Sequence, residues 1–188
     1  MSRPENLPPP TSMKTLLLLF VVGAIASGFS AEPSPYAGQQ TRAIKSLSAD
    51  EISGYLAGRG MGLARPAELN GYPGPRHVLD AADELKLTPA QTAALQGFFA
   101  EMRAAALPLG RALVARETEL DRLFSGHEAT EPALATLTAE IGRLEGELRA
   151  VHLRAHIRTQ RLLTPAQVDA YNRLRGYDAP AANRETKP

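Results

Sequence analysis

Hydrophobic residues recur every three or four positions along two long stretches of the chain, 89–124 and 131–162, except that arginines stand at positions 116 and 158 of this pattern. The first stretch carries Leu95, Phe98 or Phe99, Met102, Ala106, Leu109, Leu113, Leu120 and Leu123. The second carries Leu134, Leu137, Ile141, Leu144, Leu148, Val151, Ala155 and Leu162. This spacing is typical of amphipathic helices and predicts two helices of about 35 residues, each ~50 Å long at 1.5 Å per residue.

The two predicted helices are separated by a short polar segment that contains Ser125, Gly126 and the N-cap candidate Thr130. A connection this short forces neighbouring helices to fold back on each other, so we expect a long antiparallel helical hairpin. Pro108 lies inside the first helix and predicts a kink near Ala104, because the proline ring meets the carbonyl four residues back.

Short helices are expected to flank the hairpin, over residues 49–57, 75–86 and 165–175. The segment between the first two of these is rich in glycine and proline, which disfavour regular elements, and it is predicted to form a loop or a series of turns. Within it, residues 61–63 read Met-Gly-Leu and form either a mobile apolar flap or a plain connector. The predicted fold class is therefore all-α.

One five-residue sequence, Leu-Thr-Pro-Ala-Gln, occurs twice, at residues 87–91 and 163–167. In each copy threonine can cap a helix, proline suits the first helical position, and glutamine can reach back to the N–H of the cap residue. Each copy therefore predicts a helix start. Because one copy precedes the hairpin and the other follows it, both should lie at the same end. The motif residues are Leu87, Thr88, Gln91, Leu163, Thr164 and Gln167.

A Leu-Thr-x-x-Gln pair, with one copy before a long helix and one near the C-terminus, resembles the Spy/CpxP family of periplasmic stress proteins and its metal-sensing relatives. The resemblance covers residues 48–177. It implies a helical dimer that acts either as an ATP-independent chaperone or as a sensor of zinc, nickel or cobalt.

Residues 13–30 have the layout of a secretory signal peptide: one lysine, an apolar run and then small residues. Cleavage is expected after Ser30, and an uncleaved anchor is the alternative, although the apolar run is short for a spanning helix. The proline-rich residues before Met13 do not resemble a signal peptide, so Met13 is a candidate true start. The predicted location is the periplasm.

After the signal peptide we expect a flexible N-terminal arm over residues 31–47, a helical domain over residues 48–177 and a disordered tail over residues 178–188. The chain contains no cysteine, which excludes disulfides and thiolate chemistry. Removal of residues 1–30 leaves 19 basic and 19 acidic side chains. This balance argues against nucleic-acid binding. No pattern typical of a nucleophile, a phosphate loop or a catalytic carboxylate pair occurs, so an enzyme is not expected.

His152 and His156 are four residues apart on the second long helix, a spacing at which two imidazoles can share a metal ion. The surrounding segment is basic and offers no carboxylate, so a metal would need ligands from another helix or subunit. Structural packing or pH sensing is the alternative use of these histidines.

Four arginines occur on the same helix: Arg149, Arg154, Arg158 and Arg161. A basic surface beside apolar side chains can attract unfolded proteins, whereas a plain solvated helix face is the alternative. The favoured function is an ATP-independent chaperone that binds unfolded clients. The alternative is a zinc, nickel or cobalt sensor or buffer. The expected partners are a second copy of the chain and clients, with a membrane signalling partner left open.

Overall fold

The computed structural model describes residues 33–177, and residues 36–177 of these belong to one compact unit. Every regular element in the described range is helical, which confirms the all-α class. A short 3-10 helix, Gln39–Thr41, precedes α1 (Ala49–Leu56), α2 (Arg65–Glu68), α3 (Pro75–Asp80), α4 (Pro89–Ser125), α5 (Glu131–Leu162) and α6 (Pro165–Leu174). The signal peptide predicted over residues 1–30 and the tail predicted over residues 178–188 lie outside this range.

The two long helices, α4 and α5, pack against each other, and five residues connect them. Their contacts pair residues in reverse order: Gln91 reaches Leu162, and Arg116 lies 3.7 Å from Glu140. The apolar interface between them contains the buried side chains of Ala106, Leu113, Ile141, Leu144 and Leu148. The helix α4 continues without interruption past Pro108.

A second apolar cluster lies where α3 and α6 meet the N-terminal end of α4 and the C-terminal end of α5. It consists of Val78, Leu85, Leu95, Leu163 and Tyr171, which are all at least nine-tenths buried. Because each side chain comes from a different part of the chain, this cluster fixes the short segments to the long helices. No helix of the described residues is long and apolar enough to span a membrane.

The helix α1 crosses α4 at Gly110, where only a glycine leaves enough room. A Cβ atom on Gly110 would lie 2.2 Å from the carbonyl oxygen of Tyr55, the second-last residue of α1. A capping box formed by Ser48 and Glu51 starts α1, as its sequence indicated. The hydrogen bonds from Ser48 hold the pKa of Glu51 below its usual value.

The second half of the predicted flexible arm is folded onto α4. Ile44 and Leu47 are buried, and the backbone N–H of Lys45 donates to the carboxylate of Asp121 at 3.0 Å. Ser46 donates to the buried Glu117 at 2.7 Å. The prediction of a flexible arm over residues 31–47 is therefore wrong for residues 44–47, because two separated apolar residues were enough to anchor them.

One helix boundary and one additional short helix also differ from the prediction. The helix α3 ends at Asp80, and the chain continues in turns to Lys86. Lys86 has a positive φ of 50°, and the N–H of Leu87 donates to the carbonyl of Ala82, as in a Schellman motif. The glycine-rich segment contains the single-turn helix α2, which begins with Arg65 and Pro66. The sequence analysis did not predict this helix, because the glycines and prolines around it disfavour regular elements.

Candidate functional site

The two copies of the Leu-Thr-Pro-Ala-Gln sequence start α4 and α6 with the predicted capping boxes. In the first copy, the hydroxyl of Thr88 accepts a hydrogen bond from the N–H of Gln91 at 3.2 Å, and the Gln91 side-chain oxygen accepts from the Thr88 N–H at 3.0 Å. In the second copy, Thr164 and Gln167 form the same two bonds, at 3.3 and 3.0 Å. Both threonines have extended backbone angles, as N-cap residues require.

The glutamines of the two copies also bind each other. The amide nitrogen of Gln91 donates to the side-chain oxygen of Gln167 at 2.9 Å, and the amide nitrogen of Gln167 donates back at 3.1 Å. Each oxygen therefore accepts from its own capping threonine and from the other glutamine. The pairing joins helix starts that are 76 residues apart in the chain.

Each glutamine amide also binds a backbone carbonyl near the other motif copy. Gln91 donates to the carbonyl of Leu162, the last residue of α5, and Gln167 donates to the carbonyl of Leu85, both at 3.2 Å. The carbonyl of Leu162 at the end of α5 lacks a partner within its helix, so the contact with Gln91 satisfies a group that would otherwise depend on water. The motif leucines, Leu87 and Leu163, pack in the apolar cluster beneath.

Both histidines of α5 are buried. His152 is 3% exposed, and its Nε2 atom has no hydrogen-bond partner in the described part of the chain. Burial lowers the pKa of His152, and the neighbouring His156 lowers it further, so the neutral imidazole is favoured. The Nδ1 atom of His156 lies 2.7 Å from the carbonyl oxygen of Tyr72.

Beside His156, the carboxylate of Glu68 accepts hydrogen bonds from three residues. It accepts from the hydroxyl groups of Tyr171 and Tyr177 and from the backbone N–H of Gly74. Arg175 lies 3.6 Å away, and the Nδ1 atom of His156 lies 3.7 Å away. Burial and the bond to Glu68 raise the pKa of Tyr171, which keeps this phenol protonated.

Sequence reasoning missed Glu68, because the segment that carries it was predicted to be a plain loop. One signal was available: Glu68 is the sole acidic residue between Glu51 and Asp80. An isolated carboxylate in a stretch of glycines, prolines and arginines is a candidate for a buried contact rather than a solvated face.

The residues predicted to bind a metal do not form a complete site. Between residues 33 and 177, no three side chains of histidine, cysteine, aspartate or glutamate are grouped to hold a metal ion. The imidazole of His156 is engaged on Tyr72, and a Cβ on Gly74 would lie only 2.9 Å from its Nε2 atom. The backbone at Gly74 therefore packs closely against the nitrogen that would otherwise bind a metal.

The four arginines predicted to bind clients are all exposed, but they differ in their contacts. Arg158 pairs with Glu101 of α4, and its guanidinium lies 4.0 Å from the ring centroid of Phe98. The same ion pair lowers the pKa of Glu101. Arg154 and Arg161 lie on either side of Ile157 on one helix face, whereas Arg149 lies about 140° around the helix from Arg154.

A cavity of about 930 Å³ opens between the glycine-rich segment and the long helices. Its wall includes both buried histidines, Glu68, Phe99 and Met102. Cavities of several hundred Å³ are of the size that binds small molecules.

Compared with family models, curated proteins and solved structures, the chain matches none.

Proposed function

We propose that this chain is an exported, Spy/CpxP-like chaperone that binds unfolded proteins without ATP. In this proposal α4 and α5 form the long antiparallel hairpin of that family, and the two motif copies close one of its ends. The reciprocal bonds between Gln91 and Gln167 support it, because they give both copies of the motif one shared structural role.

The surface feature that carries the client-binding proposal is a strip on α5. Ile157 is 37% exposed, and the exposed side chains of Arg154 and Arg161 lie three residues before it and four residues after it. Residues at these spacings share one face of a helix. An unfolded chain could be attracted by the two cations at long range and held by the apolar side chain on contact.

An aggregation assay tests this function. The purified protein, without its predicted signal peptide, should slow the aggregation of an unrelated denatured protein at a near-stoichiometric ratio. The double variant R154E/R161E should lose most of this effect, because its strip repels acidic segments of the client. R111E is the matched control, since Arg111 is an exposed arginine of α4 that lacks a partner within the described range. Absence of protection at several-fold excess of the unaltered protein would refute the proposal.

The alternative is a zinc, nickel or cobalt sensor that uses His152 and His156. It requires a rearrangement that opens the Nε2 atom of His156 beside Gly74 and supplies a third ligand, whereas the contact of Nδ1 with the Tyr72 carbonyl can be kept. Calorimetry with the three metals separates the alternatives: micromolar binding that H152A abolishes favours the sensor, and no heat with any metal excludes it.

A second copy of the chain is the proposed stable partner. Near the connection between the long helices, Phe124 is 56% exposed and Leu134 is 36% exposed. Covering such apolar side chains favours association, and closed two-fold pairing is its commonest form. Light scattering should give about twice the chain mass. F124D should shift the protein toward monomer while its helical circular dichroism is retained, since Phe124 lies outside the buried clusters.

Export is tested by the N-terminus of the protein recovered from cells. Sequencing of the mature protein should find Ala31 as the first residue. Sequencing of the uncleaved precursor decides whether translation starts at Met1 or at Met13. A mature protein that keeps residues 13–30 would favour the membrane-anchored alternative.

A further inference from the structure

The cavity beside α4 and α5 is lined by several cationic side chains together with apolar ones. Five arginines line it, against the single carboxylate of Glu68. Three of them already have acidic partners: Arg59 pairs with Asp50, Arg76 with Asp80 and Arg175 with Glu68. The remaining two, Arg65 and Arg103, have no carboxylate partner among residues 33–177.

These two arginines are placed by the glycine-rich segment. The guanidinium of Arg65 lies against Gly62, where a Cβ atom would come within 3.3 Å of it. Arg103 extends from α4 beside Gly58 and donates to the carbonyl of Ala57 at 3.4 Å. A guanidinium presents several N–H donors in one plane, and one long bond to a carbonyl leaves most of those on Arg103 available for an anion.

The interior of the cavity suits an apolar group. Phe99 and Met102 of α4 and Met61 and Leu69 of the glycine-rich segment contribute hydrophobic wall. Methionine side chains adapt to flexible ligands. His152 adds no charge to this wall, because its burial lowers its pKa and favours the neutral ring.

From this arrangement we infer that the cavity binds an alkyl carboxylate, with its carboxylate on Arg65 and Arg103 and its chain against Phe99, Met102 and Met61. Charge complementarity selects the head group, since planar guanidinium groups bind carboxylates through paired hydrogen bonds. The cavity of about 930 Å³ has room for an extended aliphatic chain. This site is separate from the strip of Arg154, Ile157 and Arg161 proposed for clients, so the two proposals can fail independently.

Calorimetry with decanoate tests the inference. The purified protein should bind decanoate saturably at one site per chain, whereas 1-decanol and decyltrimethylammonium, which have the same chain with no charge or the opposite charge, should bind at least about tenfold more weakly. Decyl phosphate is the fourth probe, and a preference for it over decanoate would overturn the assignment of a carboxylate.

Variants locate the site. R65A and R103A should each weaken decanoate binding by about tenfold, because each removes a charged partner of the head group. Both arginines are exposed, so the fold should tolerate these changes, and circular dichroism checks this. R111A is the matched control and should bind as the unaltered protein does.

M102W tests separately where the alkyl chain of decanoate binds. The larger indole should fill part of the cavity and reduce decanoate affinity while Arg65 and Arg103 remain. Binding that is equal for decanoate and decanol, or that survives both arginine substitutions, would overturn the inference. So would a complete absence of decanoate binding.

Discussion

Gln91 and Gln167 hold each other through two side-chain hydrogen bonds, of 2.9 and 3.1 Å, while each also completes the capping box of its own helix. The Gln91 oxygen accepts two hydrogen bonds, the Gln167 oxygen accepts the equivalent two and a third from the hydroxyl of Thr164, and both amide nitrogens donate two. A glutamine amide can donate two bonds and accept two, so the hydrogen-bonding capacity of each side chain is fully used. The pair therefore couples the start of α4 to the start of α6.

Removing either glutamine should destabilise the protein and uncouple the two motif copies. We expect Q91A and Q167A each to lower the free energy of unfolding by about 1–3 kcal/mol, because each leaves half-buried partners unsatisfied. The double variant should cost less than the sum of the two, with a coupling energy of about 0.5–3 kcal/mol. Urea denaturation of the four proteins measures this cycle, and additive effects would contradict the coupling.

The sequence predicted the two caps but not their pairing. A capping box depends on residues three apart, so Thr88 with Gln91 and Thr164 with Gln167 were readable as local chemistry. The bond between Gln91 and Gln167 depends on how α4 and α5 bring distant segments together, and nothing local encodes that. The order of the elements indicated that the two motif copies would lie close together, but it did not indicate which atoms would meet.

The residues around the cavity were harder to predict for a related reason. His152 and His156 were identified by their spacing, yet their environment comes from Tyr72, Gly60 and Gly74 in a segment without periodicity. Glycines there allow the backbone to approach the imidazoles closely, which no hydrophobic pattern records. The same holds for Gly110, whose contact with α1 is a property of the crossing and not of either helix alone.

An alanine at position 110 should lower the free energy of unfolding, whereas an alanine in place of an unhindered glycine on the same helix should raise it. In G110A the new methyl group would collide with the Tyr55 carbonyl, so we expect a loss of about 1–3 kcal/mol of unfolding free energy. Gly97 has no atom within 4 Å of an added Cβ, and G97A should gain about 0.5–1 kcal/mol from helix propensity. Thermal denaturation compares the two, and a stabilised G110A would show that α1 does not cross there.

The partly buried carboxylate of Glu68 should contribute to stability through the phenol that donates to it. E68A leaves the hydroxyl group of Tyr171, a residue only 1% exposed, without its acceptor and should cost about 1–3 kcal/mol of unfolding free energy. Adding Y171F to E68A removes the stranded hydroxyl and should recover part of that loss. The exposed Glu84 supplies the control, since E84A should change stability by less than about 0.5 kcal/mol. If Y171F brings no recovery in the E68A background, the hydrogen bond is not the source of the loss.

His152 should make the protein less stable as the pH falls from neutral toward 5. An imidazole in the unfolded chain titrates near pH 6.5, whereas burial lowers the pKa of His152 in the folded protein. Between those two values the unfolded state binds more protons than the folded state, so acidification favours unfolding. Each unit of difference between the pKa values corresponds to about 1.4 kcal/mol of lost unfolding free energy below the lower pKa.

The variant H152Q removes this titration, so its unfolding free energy should change less between pH 7 and pH 5 than that of the unaltered protein. H77Q is the control, because His77 is exposed on α3, and it should retain the full dependence. Urea denaturation at a series of pH values gives both slopes. The carboxyl groups with lowered pKa values are those of Glu51, Glu101 and Asp121, and they contribute little to this dependence because carboxyl groups titrate mainly below pH 5 in both states. Parallel pH profiles for H152Q and the unaltered protein would mean that His152 is not the group that senses acid here.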